Sequence, residues 1–212
     1  TDATQSYVFE SNKLPEIRGA SRQLHDLNTD IGRMTAAAGG TVVYAGGGGL
    51  LAVVDETAAE DLAAEIRALY PQRTGAATIT VATRPLPPGD AATQFGEMVS
   101  WLTHAMRRRK GARTAPPFWE TLAYQVRCPS CQARPAQADT AGNWCQICAG
   151  KRDYQGRAAW FRLFEESGHL TDAYTGGKKL SLSYPQDLSE LGQACRAEAG
   201  YIALLYLDGD GI

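Results

Sequence analysis

Neither sign of charge dominates this sequence: 21 lysines and arginines stand against 23 aspartates and glutamates, a formal net charge of −2 over 212 residues. Without a global basic field there is no overall attraction to nucleic acid, and any such contact must come from a local cluster. Long apolar runs are also missing. No stretch approaches the roughly 20 residues of a membrane-spanning helix, and the polar start Thr1-Asp2-Ala3-Thr4 does not read as a signal peptide. A soluble, cytoplasmic protein with no membrane partner is therefore expected. Cysteine is sparse, with five residues whose spacing suits a disulfide framework less well than a metal site. Four of the five cysteines fall in two Cys-x-x-Cys pairs, which suits a metal site in a reducing compartment. Apolar residues make up 44% of the chain, enough to bury the core of one large domain or two small ones.

The stretch from Thr41 to Val54 reads as two apolar strands folded back through four glycines, Gly46 to Gly49. Val42, Val43 and Tyr44 on one arm and Leu50, Leu51, Val53 and Val54 on the other favour an extended hairpin, and glycine tolerates the positive φ of a tight turn. A plain turn needs only one or two glycines. The full run removes every side chain, so either a ligand lies on bare backbone there or the turn is loose and bulged.

Around this hairpin the order is β-α-β-β-α-β. Ser6 to Glu10 predicts a strand. Leu14 to Ala37 predicts a helix with Leu14, Ile17, Leu24, Leu27, Ile31 and Met34 on one stripe, capped by Ser11 or Asn12 and ended by Gly39-Gly40. Thr57 to Tyr70 predicts a second helix closed by Pro71, and Ala76 to Thr83 a fourth strand. That order is the ferredoxin-like, split βαβ arrangement, an α+β fold spanning residues 1–84.

Three prolines between Arg84 and Gly89 make a stiff connector, and Asp90 caps a helix running to about Lys110 with Phe95, Met98, Leu102 and Met106 inward. Its end is basic, from Arg107 to Lys110 with Arg113 beyond, which fits either a solvated helix C-terminus or a phosphate contact. Residues 85–123 form this connecting region. Residues 124–157 change character: Cys128, Cys131, Cys145 and Cys148 have the spacing of two knuckles that surround one structural Zn²⁺ tetrahedrally. Residues 158–199 read as a helical linker, with Ala158 to Glu166 and Pro185 to Ala197 helical and Cys195 a buried thiol.

The strand Tyr201 to Leu207 ends in Asp208-Gly209-Asp210-Gly211. Asp208 and Asp210 flank one glycine and can point to the same side to hold Mg²⁺ or Mn²⁺ for nucleotidyl transfer; a polar turn after a core strand is the other reading. With no strand partner downstream, the chain is expected to be a fragment.

Tyr7-Val-Phe-Glu-Ser-Asn-Lys-Leu-Pro-Glu-Ile-Arg-Gly-Ala-Ser21, Tyr44-Ala-Gly-Gly-Gly-Gly49, the four cysteines and Leu207-Asp-Gly-Asp-Gly-Ile212 occur in the order seen in one family. Together they resemble the large, polymerase-like subunit of type III CRISPR interference complexes, over nearly the whole chain. The resemblance implies a first palm domain in residues 1–84, a zinc-ribbon insertion and, from residue 200, the first strand of a second palm. In that family the two palms bind two ATP molecules and make cyclic oligoadenylate, an antiviral second messenger, while target RNA is bound. ATP, other subunits of the ribonucleoprotein complex and, through them, crRNA and target RNA are the implied partners.

Carried over, Asp208 becomes a metal ligand of the catalytic palm and Asp210 its helper. Gly46, Gly47, Gly48 and Gly49 become the nucleotide floor of the first palm, and Ser21 a polar contact near phosphate or ribose. The departures matter equally. The glycine turn has no carboxylate, where the cyclase-type palm carries Gly-Gly-Asp-Asp or Gly-Gly-Asp-Glu, and the second palm's acidic hairpin would fall after Ile212. The chain alone is therefore expected to be inactive. His25-Asp26 spells the dipeptide of the family's nuclease domain, but such a site needs further His and Asp ligands, and only His104 and His169 remain. Two other functions fit less of the sequence: a cyclic-dinucleotide synthase, which normally keeps the acidic turn, and a non-catalytic scaffold docking RNA or partner subunits through Arg107 to Arg113.

Overall fold

The computed structural model describes residues 4–86, 91–112, 124–138, 142–155 and Glu190. The chain divides into two compact units. The first, Thr1–Asn12 with Glu16–Arg157, holds the hydrophobic core; of the second, Lys13–Pro15 with Ala158–Ile212, only residues 13–15 and Glu190 are described.

The class is α+β, with helices α1 (Thr4–Val8), α2 (Leu14–Ala37), α3 (Glu56–Thr74), α4 (Ala91–Gly111) and α5 (Gln146–Gln155) and strands β1 (Thr41–Gly46) and β2 (Gly49–Val53). Helix α2 forms over the span its periodicity predicts. Ala20, Leu24, Leu27 and Ile31, spaced 4, 3 and 4 apart, are buried, so they make one continuous apolar stripe. Gly39 ends the helix at φ +77°, and the amides of Gly39 and Gly40 donate to the carbonyls of Ala36 and Thr35. From α3 come Leu62, Ile66 and Tyr70, and these meet the α2 stripe together with Ala77 and Ile79.

The hairpin forms as expected, antiparallel, with Gly46 opposite Gly49. Gly47 and Gly48 are therefore the two loop residues, at φ +56° and +81°, the positive pair that a two-residue primed turn demands. A register shift between Val42 and Tyr44 inserts Val43 as a bulge. The hairpin is not a buried sheet centre: Val43, Tyr44 and Val53 are 50%, 57% and 45% exposed.

Three expectations are corrected. Ser6 to Glu10 is no strand; the chain is helical through Val8, and Tyr7 and Val8 are both buried, where an alternating strand would bury only one of them. Helix α3 runs past Pro71 to Thr74 and ends at Gly75, φ +73°, whose amide donates to the Pro71 carbonyl. Burial of Tyr70 and Thr74 offsets the hydrogen bond that proline forfeits. In Ala76 to Thr83, Ala77 and Ile79 are buried, but so is Thr80, which breaks the alternation of a strand, and the segment joins neither strand of the hairpin. Thr74 Oγ1 accepts from the amides of Ala76 and Ala77, and the Arg109 guanidinium donates to the Val81 carbonyl, occupying groups that a ladder would use. Among the described residues the sheet thus has two strands instead of four. In α4, Met98 is buried as expected while Phe95 is 43% exposed. No described helix is long and apolar enough to cross a membrane.

Candidate metal centre

The first knuckle is a short hairpin. Arg127 bridges Pro135, the Cys128 amide donates to the Arg134 carbonyl, and the Ala136 amide donates to the Val126 carbonyl. Gln132 follows Cys131 at φ +58°, turning the chain back so that its amide reaches the Cys128 carbonyl. The second pair sits on a helix start: Cys145 immediately precedes α5, and its carbonyl accepts from the Ala149 amide. The Gln137 amide donates to the Trp144 carbonyl and ties the two knuckles together.

These turns bring all four sulfurs within 4.8 Å of one another. Cys128 and Cys148 are fully buried and Cys145 nearly so. Four thiolates around zinc at about 2.3 Å stand about 3.8 Å apart along the edges of a tetrahedron. Cys131 Sγ and Cys145 Sγ are 3.8 Å apart, so the cluster fits a metal ion such as zinc and is much too open for a disulfide at that pair.

The electrostatics point the same way. Hydrogen bonds from the Cys148 thiol, the Cys148 amide and the thiols of Cys128 and Cys131 together outweigh burial and lower the Cys145 pKa to about 5. Cys148 is pushed up because it donates that hydrogen bond, because it is buried and because thiolates would crowd it; Cys131 is pushed up chiefly by burial. Hydrogen bonding thus draws Cys145 and Cys148 in opposite directions. A divalent cation takes over the role of the thiol protons, which is how metal affinity becomes tied to pH at such sites.

Around the sulfurs lies a set of buried charges that the sequence reading did not single out. Lys151, with no exposed surface, sends Nζ to the Tyr7 carbonyl at 2.6 Å and to Glu10 Oε2 at 3.1 Å, and sits 4.1 Å from the Tyr7 ring centroid. Arg134 pairs with Glu10 at 2.6 Å. Burial pushes the Glu10 carboxyl up, but the hydrogen bond from Arg134 and the Lys151 and Arg134 charges win and hold it below the ordinary value. Glu16, also fully buried, accepts from Arg152 Nε at 2.8 Å and from Ser130 Oγ at 2.7 Å. Gly19 completes the contact: a Cβ there would fall 1.7 Å from the Lys151 carbonyl oxygen. A glycine inside a helix costs about 1 kcal/mol, and at Gly19 the close backbone accounts for it, whereas Gly32 on the same helix has nothing within 4 Å.

The remaining expected site residues are placed as follows. At Gly46, Gly47 and Gly49 an added Cβ would meet only Tyr44 or the Gly46 carbonyl, all within the hairpin itself. Beside the hairpin a groove of about 510 Å³ runs past Val43, Leu51, Val53, Glu56, Met98 and Leu102, along the strands and not at the turn. Ser21 is exposed on α2, two residues beyond the Gly19 contact. Asp26 pairs with Arg22 at 2.9 Å. Asp208, Asp210 and Cys195 lie outside the described residues. Compared with models of protein families and with curated protein sequences, the chain matches none.

Proposed function

We propose that this chain is the first-palm portion of a type III CRISPR large subunit: a degenerate palm, built on the ferredoxin-like plan, that presents its glycine turn to ATP, with a structural zinc site in its insertion. The complete protein then makes cyclic oligoadenylate using Asp208, assisted by Asp210, as ligand of Mg²⁺ or Mn²⁺. The observation that carries the reading is the turn itself. Gly47 and Gly48 take the positive φ values that glycine adopts most easily; the Tyr44 side chain lies against Gly46 and Gly47, while an added side chain at Gly49 would meet only the Gly46 carbonyl, so a base, sugar or phosphate has access to backbone at Gly49. The sulfur spacing supports zinc, and the ordered succession of motifs supports the family.

The test uses the complete protein. Gly49 is the informative position, because its φ is not in the left-handed range and a Cβ there finds its nearest neighbour at an ordinary 3.6 Å. Gly49→Val is expected to weaken ATP binding at least tenfold with an unchanged melting temperature, and Asp208→Ala to abolish cyclic oligoadenylate. Unaltered ATP affinity in Gly49→Val refutes the nucleotide floor. A second reading, a non-catalytic scaffold, is favoured by the two-stranded sheet among the described residues; it requires zinc uptake with no ATP binding at all.

A further inference from the structure

The buried charges around the cysteines fall into two surfaces that meet each other, with Glu16 Oε2 and Arg134 Nε and Nη1 buried there without a hydrogen bond among the described residues. One surface comes from the first part of the chain: the Tyr7 carbonyl, Glu10, Ser11, Glu16 and the bare backbone at Gly19. The other is built on the knuckles. Ser130 lies between Cys128 and Cys131, Arg134 offers its carbonyl to the Cys128 amide, and Lys151 and Arg152 follow Cys148 on α5. Every polar contact given above for Lys151 goes to Tyr7 or Glu10, and Glu16 is met by Ser130 and Arg152. The Ser11 and Ser130 hydroxyls are 2.7 Å apart. Buried lysine and glutamate are tolerated only with such partners, so neither surface can be buried without the other.

We propose that the knuckles act as a metal-set latch on the start of α2: zinc fixes the backbone carrying Ser130, Arg134, Lys151 and Arg152, and that fixed face holds Glu10, Glu16 and Gly19. This rests on reading the cluster as a zinc site. Coupling between two equilibria is reciprocal, so docking must raise zinc affinity by the factor by which zinc tightens docking. The metal thereby controls residues more than 100 positions away in sequence that never touch it.

Zinc affinity of the whole chain, measured by competition with a chromophoric chelator, tests the latch. Gly19→Ala drives a Cβ into the Lys151 carbonyl and is expected to weaken zinc binding at least tenfold with all four cysteines intact. Gly32→Ala, on the same helix with nothing within 4 Å of the added carbon, is expected to leave affinity unchanged. Glu16→Gln keeps the side-chain size and removes the charge; it is expected to weaken binding several-fold and decides the matter if Gly19→Ala does not fold. In the wild type, chelation is expected to speed amide exchange in residues 4–8 and 16–24. Wild-type zinc affinity in both Gly19→Ala and Glu16→Gln overturns the latch while leaving the zinc site standing. A wild-type chain that takes up no zinc overturns the zinc reading and the latch with it.

Discussion

Withdrawing the metal is the most searching perturbation of this fold, because the cysteines are part of its core and not an appendage. Cys128, Cys145, Cys148 and Ile147 belong to the same buried cluster as Tyr7, Leu24, Ile31 and Tyr70. A ligand that binds only the folded chain stabilises it by about 2.7 kcal/mol at 100 times its dissociation constant and about 4.1 kcal/mol at 1,000 times. For a chain of this size each kcal/mol moves the melting temperature by about 2–4 °C, so a zinc-saturated sample should melt about 5–16 °C above one treated with excess chelator. Differential scanning calorimetry of the whole chain, with and without chelator, measures the shift. Cys145→Ser, which deletes the ligand at the start of α5, should melt at the chelated temperature and take up less than one equivalent of zinc. A melting temperature indifferent to chelator, or one full equivalent retained by Cys145→Ser, refutes a core-integrated metal site.

Two further outcomes follow from the packing. Glu10 has its pKa depressed in the folded chain, so its contribution is complete above the ordinary carboxylate value near about 4.3 and is lost as pH falls through the lower folded value. Urea midpoints from pH 7 to pH 3 should therefore fall more steeply for wild type than for Glu10→Gln, and parallel profiles would remove the ion pair from the account. Ile31, fully buried on the α2 stripe, should cost about 2–5 kcal/mol when cut to alanine. A loss under about 1 kcal/mol in urea unfolding contradicts its place in the core.

What the sequence disclosed, it disclosed through local rules. The 3.6-residue stripe of α2 and its glycine stop, the glycine turn of the hairpin and the Cys-x-x-Cys spacing each need only neighbours along the chain, and each forms. The failures lie where distant residues decide. Tyr7 and Val8 look like strand residues, yet the Tyr7 carbonyl is held by Lys151, 144 positions on. Pro71 should stop α3 and does not, because burial of Tyr70 and Thr74 outweighs one lost hydrogen bond. The partnership of Glu16 with Ser130 and Arg152 spans 114 and 136 positions, and no periodicity or spacing announces it. The resemblance implies a nucleotide contact at Ser21; in the same segment Gly19 lies against the Lys151 backbone of α5 and Ala20 is buried in the core.

The bulge at Val43 sets a phase. Side chains alternate along a strand, so the extra residue shifts Thr41 and Val42 out of step with the residues from Tyr44 onward. Deleting Val43 would straighten the ladder and leave Thr41 opposite Val53 and Val42 opposite Ala52, each on the face it occupies now. Length at this point is therefore free to vary by the one residue the bulge absorbs, and what a shortened chain would lose is the local bend in β1, not its register or its junction with α2.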